Sequence, residues 1–184
     1  MAKTLATGTV IAVAKTYGAS VNMTAITNSA LAGEAVATLA PAHGCVVGDY
    51  IEVSSGWGKL DGQIHRVKTV ATNDVTLEKF DTNNQTDYPA GTGIGSIRRI
   101  TAWSNLSQVK SLGSSGGDQQ YADVTAIDDV VERKVPTIRS AVTADYEVFD
   151  DPNLAWYADV AKASDASTPY GIRYSFPNGS KLVA

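Results

Sequence analysis

The sequence predicts a mainly β fold, and three observations carry that prediction. β-Branched residues dominate, with 19 Val, 10 Ile and 18 Thr against 9 Leu and 2 Met. Such side chains are stiff at the first torsion and suit a pleated sheet better than a helix. Sixteen glycines supply turn positions. The third observation is a run of period-two alternation from Thr137 to Phe149, the pattern of a strand with one covered and one wet face.

Taken in order, the first strand is expected over 7–14, and a looser one over 20–27. Residues 28–42 are alanine-rich and read equally as a short helix or an irregular strand. Gly48-Asp49 opens a compact β-rich stretch. Tyr50, Ile51 and Val53 belong to one strand, 64–70 to a second and 75–80 to a third, with a tight turn at Asn73-Asp74. Residues 81–96 form a polar, glycine-rich loop. The division expected is therefore a core built from 1–27 and 97–184, with 28–96 inserted as a small β-rich subdomain. β Character resumes over 97–112, Ser114–Asp118 interrupts it, and 119–136 alternates weakly around a charge cluster.

In the long strand over 137–149, Ile138, Val142, Ala144, Tyr146 and Val148 face one way. Thr137, Arg139, Thr143, Asp145 and Glu147 face the other. Asp150-Asp151-Pro152 stops the strand and starts a helix, because an Asp cap satisfies free amides and Pro presets φ in the first turn. Leu154, Tyr157, Val160 and Ala161 form the helix face expected to be covered, and the helix should end near 163–165. A last strand over 170–176 leads into Pro177-Asn178-Gly179, a hairpin signal of the primed-turn kind, and a short returning strand over 180–184.

Composition excludes several classes of function. There are 15 basic against 19 acidic residues, and each half of the chain is equally negative. A nucleic-acid reader needs clustered cations to neutralise phosphates. No apolar run approaches the ~20 residues of a membrane helix, and the N-terminus has no apolar leader pattern. One cysteine, Cys45, cannot make an internal disulfide.

The candidate chemistry is thin. His43 and Cys45 have the spacing of half a zinc site, but no second ligand pair exists, and His65 stands apart. A phosphate-cradling fingerprint requires a strand before it and a helix after it, and β-type sequence follows Gly91–Gly95, so a flexible loop is expected. Asp150 and Asp151 are explained by capping, and Asp128 and Asp129 sit beside Arg133 and Lys134 as a charge patch. No catalytic constellation, metal site or cofactor site is expected. Trp57, Trp103 and Trp156 are expected in core or interface packing.

A β scaffold without an active site has to hide its sheet edges. Joining sheets head to tail around a closed ring does so, and the polar row Thr137, Arg139, Thr143, Asp145, Glu147 would then face a water-filled lumen.

The run from Ser55 through Gly56-Trp57-Gly58-Lys59-Leu60-Asp61-Gly62 to Val67, followed by Val75–Glu78, is similar to one found in major tail tube proteins of long, non-contractile-tailed, lambda-like phages. The same holds for Trp103 with Ser107-Gln108-Val109 leading to Ser115–Tyr121, and for the order long strand, Asp-Asp-Pro helix, strand, Phe176-Pro177-Asn178-Gly179. The resemblance implies a β-sandwich or barrel with one flanking helix. It also implies hexameric rings that stack into a tube in the virion tail, built in the host cytoplasm. Double-stranded DNA would pass through without specific binding, and the partners would be other copies and the tape measure, tail terminator and tail tip proteins. It places ring stacking on a long loop, here Ser114, Ser115, Gly116, Gly117, Asp118, Asp128, Asp129, Glu132, Arg133 and Lys134, and the insert 28–96 on the outside. The family pattern carries further strands after the Phe-Pro-Asn-Gly turn. A net negative charge suits weak contact with phosphate. The alternative reading is a β-rich adhesin or carbohydrate-binding module with Trp57 and Trp103 stacking on sugars.

Overall fold

The computed structural model describes residues 8–27, 33–128, 130–149, 151–166 and 169–183. It is mainly β with one helix, as the composition predicts. Twelve strands are present among the described residues: β1 (Val10–Ile26), β2 (Glu34–Leu39), β3 (Tyr50–Ser55), β4 (Gln63–Ala71), β5 (Asp74–Asp81), β6 (Gly95–Leu106), β7 (Val109–Ser115), β8 (Gln119–Asp123), β9 (Lys134–Arg139), β10 (Thr143–Val148), β11 (Ile172–Ser175) and β12 (Lys181–Val183). The helix α1 spans Ala155–Ala166. The chain divides into two compact units, 1–106 with 152–184, and 107–151.

In the first unit, β1-β2-β5-β4-β3-β6 follow one another by hydrogen bonding, and β6 returns to β1. That closes a six-stranded antiparallel barrel, which removes its edges. The two N-terminal strands expected from the sequence are one 17-residue strand. Its register against β6 shifts at Ala14, Thr16 and Tyr17. Bulges of this kind bend a strand and increase its twist, and they let β1 serve two partners along one edge. Val10–Val13 pair with β11, and Met23–Ile26 pair with β2.

The barrel interior corrects the expected domain division. Of the fourteen buried residues in its main cluster, twelve lie between Ala35 and Tyr88, and only Met23 and Ile97 come from outside that stretch. Residues 33–96 of the segment 28–96 therefore supply the core of the barrel, where the sequence suggested an outer decoration. Local strand-turn spacing looks the same for a separate subdomain and for four staves of a shared barrel. Only the long-range pairings β1–β2 and β3–β6 distinguish them. Within the ambiguous stretch 28–42, the strand alternative holds as β2, while 28–32 lie outside the described residues.

A second apolar layer lies on the outer face of the barrel. Ala14, Tyr50 and Ile100 are buried there, with Tyr17, Ile64, Trp103 and Val183 packed against them. The β11–β12 hairpin covers this face. Arg173 places its guanidinium 4.5 Å from the centroid of Trp103 and 5.7 Å from that of Tyr50. The hairpin turn occurs where predicted, but Gly179 alone has positive φ, at 82°, and its N–H bonds the Phe176 carbonyl at 2.9 Å. This is a type I geometry with a glycine bulge, in place of the primed turn expected.

The helix begins at Ala155, three residues after the predicted first helical position Pro152; of the two expected capping aspartates Asp151 precedes the helix by four residues and Asp150 lies outside the described residues. Its covered side is also rotated from the one expected. Trp156 is buried and Asp159 half-buried; of the expected face, Leu154 and Val160 are half-buried, whereas Tyr157 and Ala161 are exposed. Asp159 decides the rotation: its carboxylate accepts from Ser104 Oγ at 2.8 Å and pairs with Lys15 at 3.0 Å, which pins the helix to β6 and β1. Lys15 first, and Ser104 second, hold that carboxyl below its usual range.

Candidate functional site

The second unit has no apolar core among its described residues. Between Ser107 and Asp151 the chain runs out along β7 and β8 and returns along β9 and β10, as one long hairpin arm. Among the described residues β7 pairs only with β10, and β8 only with β9. Each ribbon therefore presents two unpaired edges, and an isolated two-stranded ribbon is marginal in water. Ten large apolar residues of the arm are exposed, among them Leu112, Tyr121, Val131 and Phe149, with Ile127 and Val130 almost wholly so. Large apolar side chains exposed in this number on one segment are characteristic of an interaction site.

The arm changes direction midway. Gly116 has φ 86° and Gly117 81°. A Cβ on Gly116 would lie 2.0 Å from the Ala141 carbonyl oxygen, so this crossing admits glycine alone. Asp118 and Ser140 lock it: the Asp118 N–H donates to Ser140 Oγ and the Ser140 N–H to the Asp118 carbonyl, both at 2.9 Å.

This break corrects the sequence reading of one long strand over 137–149. Ser140, Ala141 and Val142 interrupt it, so Thr137 and Arg139 lie on β9 while Thr143, Asp145 and Glu147 lie on β10. Ser140, the one residue inside the run that spoils the alternation, marks the break. The expected covered face is not covered either: Ile138 and Val142 are 77% and 72% exposed.

Within β10 the alternation holds. Thr143, Asp145 and Glu147 oppose Ser115, Gly113 and Ser111 on one face, and Tyr146 opposes Leu112 on the other. Glu147 accepts from Lys110 Nζ at 2.6 Å and Ser111 Oγ at 2.9 Å. Those two bonds, Lys110 first, hold its carboxyl below the usual range. On β9, the Thr137 carbonyl accepts from Gln119 Nε2 at 3.0 Å, and Arg139 lies opposite Gln119. Among the described residues neither Arg139 nor Asp145 is in an ion pair.

The predicted stacking residues fall at two places on the arm. Ser114, Ser115, Gly116, Gly117 and Asp118 form the end of β7 and the crossing. Asp128, Glu132, Arg133 and Lys134 form the tip, and Asp129 lies outside the described residues. At the tip, Lys134 pairs with Glu132 at 3.2 Å, the Arg133 N–H donates to Thr125 Oγ1, and the Val124 N–H donates to the Arg133 carbonyl. The sequence reading singled out the charges here and passed over Ile127, Val130 and Val131. Three large apolar residues inside a polar turn were the available signal.

The remaining candidates are structural. Trp57 is 2% exposed and its Nε1–H donates to the Pro89 carbonyl and Thr92 Oγ1. Gly93 lies so close that a Cβ would be 2.5 Å from the indole, so the glycine-rich loop is a packed cover over Trp57 in place of the flexible loop expected. Trp103 is occupied by Arg173, and Trp156 is the buried residue of the helix. His43 takes the Cys45 N–H at Nδ1 and donates from Nε2 to the Thr72 carbonyl, which fixes its tautomer. Burial pushes the Cys45 thiol up. His65 packs on Phe80 at 4.6 Å between centroids, and burial pushes its pKa down to about 4. No helix among the described residues is long and apolar enough to cross a membrane.

A family model described as phage tail tube protein matches residues 55–184. No curated protein and no solved structure matches the chain significantly.

Proposed function

Because the chain belongs to the phage tail tube protein family, a structural and non-enzymatic component of the virion tail, we propose that six copies close into a ring. Rings stack into the tube, and double-stranded DNA passes through its channel without specific binding. The uncovered arm carries this reading. Its free edges and ten exposed apolar side chains are satisfied only when other copies lie against it. Head-to-tail contacts that close by rotation give a ring with no strand left over.

In this assembly the polar rows Thr137, Arg139 and Thr143, Asp145, Glu147 face the channel. The crossing and tip of the arm, Ser114–Asp118 with Asp128, Asp129 and Glu132–Lys134, reach the neighbouring ring. Assembly takes place in the host cytoplasm, and the tape measure, tail terminator and tail tip proteins meet the ends of the stack.

The test is a loop replacement. Substituting residues 124–133 by Asn-Gly keeps the Asp123–Lys134 pair and closes the ribbon with a two-residue turn. Negative-stain images of this variant should show folded subunits and rings but no tubes, where the parent chain forms tubes as its concentration rises. Tubes of unchanged length would refute the assignment of the tip.

A further inference from the structure

A cleft of about 400 Å3 opens between the C-terminal hairpin and the barrel, and the function proposed above does not use it. Lys181, Leu182 and Val183 form one wall, and Tyr50, Ile64 and Lys79 belong to the other. Three features mark it as a receiving site. First, Tyr50 is 6% exposed, yet its hydroxyl has no hydrogen-bond partner, a costly state for a buried polar group unless something completes it. Second, β12 pairs with β11 alone among the described residues, and its three residues line the cleft. Third, the lining is positive. Arg66 is matched by Glu78 at 2.9 Å, while Lys79 and Lys181 have no ion-pair partner among the described residues.

We propose that this cleft receives the arm tip, residues 123–134, of a second copy of the chain. The inference rests on the tube reading and names where the tip docks. The complementarity is specific. The segment carries four carboxylates, Asp123, Asp128, Asp129 and Glu132, against two cations, Arg133 and Lys134. Its exposed Ile127, Val130 and Val131 match Ile64, Leu182 and Val183 in the cleft. The tip enters as the closed turn between Asp123 and Lys134. A carbonyl or carboxylate on it accepts from the Tyr50 hydroxyl, and Lys79 and Lys181 receive the acidic side chains.

Mixed full-length chains test this. One carries Ile127→Cys and a size tag, and the other carries Ser180→Cys; the native Cys45 is buried and does not compete. Mild oxidation of the mixed assembly should produce the tagged–untagged disulfide dimer as the main product, which is intermolecular by construction. In parallel, Asp128→Lys with Glu132→Lys should shorten tubes at least tenfold, and adding Lys79→Glu with Lys181→Glu to the same chain should restore them. Tubes of normal length without the mixed dimer, or reversal without restoration, overturn the docking site and leave the tube reading standing. A parent chain that makes neither rings nor tubes at any concentration overturns both.

Discussion

The barrel and the arm use similar residues to opposite ends. Both are β-branched and alternating. Within the barrel, Ile51, Val53, Val67 and Val75 are essentially inaccessible. Within the arm, Val131, Val135, Ile138 and Val142 stand in solvent. The difference lies in closure. Six strands returning on themselves bury one face of each, whereas two strands alone leave both faces open. An apolar strand residue therefore stabilises the fold in one region and is left for intermolecular contact in the other.

The largest effect that would sharpen this contrast is expected at Trp57. Replacing it by Ala removes a fully buried indole, strips Pro89 and Thr92 of their donor and leaves a void under the glycine-rich cover. The unassembled subunit should lose about 3–5 kcal/mol in urea denaturation followed by circular dichroism. A loss under 1 kcal/mol would mean that the barrel is not the stabilising region.

A comparable loss is expected from pH. His65 is held near pKa 4 in the folded barrel against about 6.5 in the unfolded chain. Above pH 6.5 neither state binds the proton. Between 6.5 and 4 only the unfolded chain binds it, so this residue's contribution makes stability fall as pH drops through that window, and the contribution levels off below 4. The full loss is on the order of 3 kcal/mol, and His65→Phe should flatten the curve there. A parent chain equally stable at pH 7 and 4.5 would show that His65 is solvated.

The smallest effect belongs to the arm. Ile127→Ala should change subunit stability by no more than ~0.5 kcal/mol, because a wholly exposed side chain loses no burial. Its consequence should appear in tube formation alone. A clear fall in subunit stability would place the arm tip in the folding core and erase the contrast between the two regions.

The strands β3, β4 and β5, the C-terminal hairpin and the helix were legible because each is announced locally, by β-branched runs, by Asn73-Asp74 and Asn178-Gly179, and by the Asp-Pro start. The helix face was misread because Asp159 turns inward to meet Ser104 and Lys15, partners distant in sequence. Alternation in 137–149 correctly indicated a two-faced strand over 143–148, but it carried no signal that the apolar face would stay bare. The crossing at Gly116 and Ala141 divided what looked continuous.

β-Branching, turn chemistry and the family motifs required a sheet protein of the tail tube kind and located most of its strands. Which strands share a barrel, that 35–88 supplies most of its interior, and that the described residues of 107–151 stand without a core were decided by pairings between residues far apart along the chain. The physical reason is that alternation specifies two faces for a strand, while the presence of anything to cover them depends on where distant strands lie.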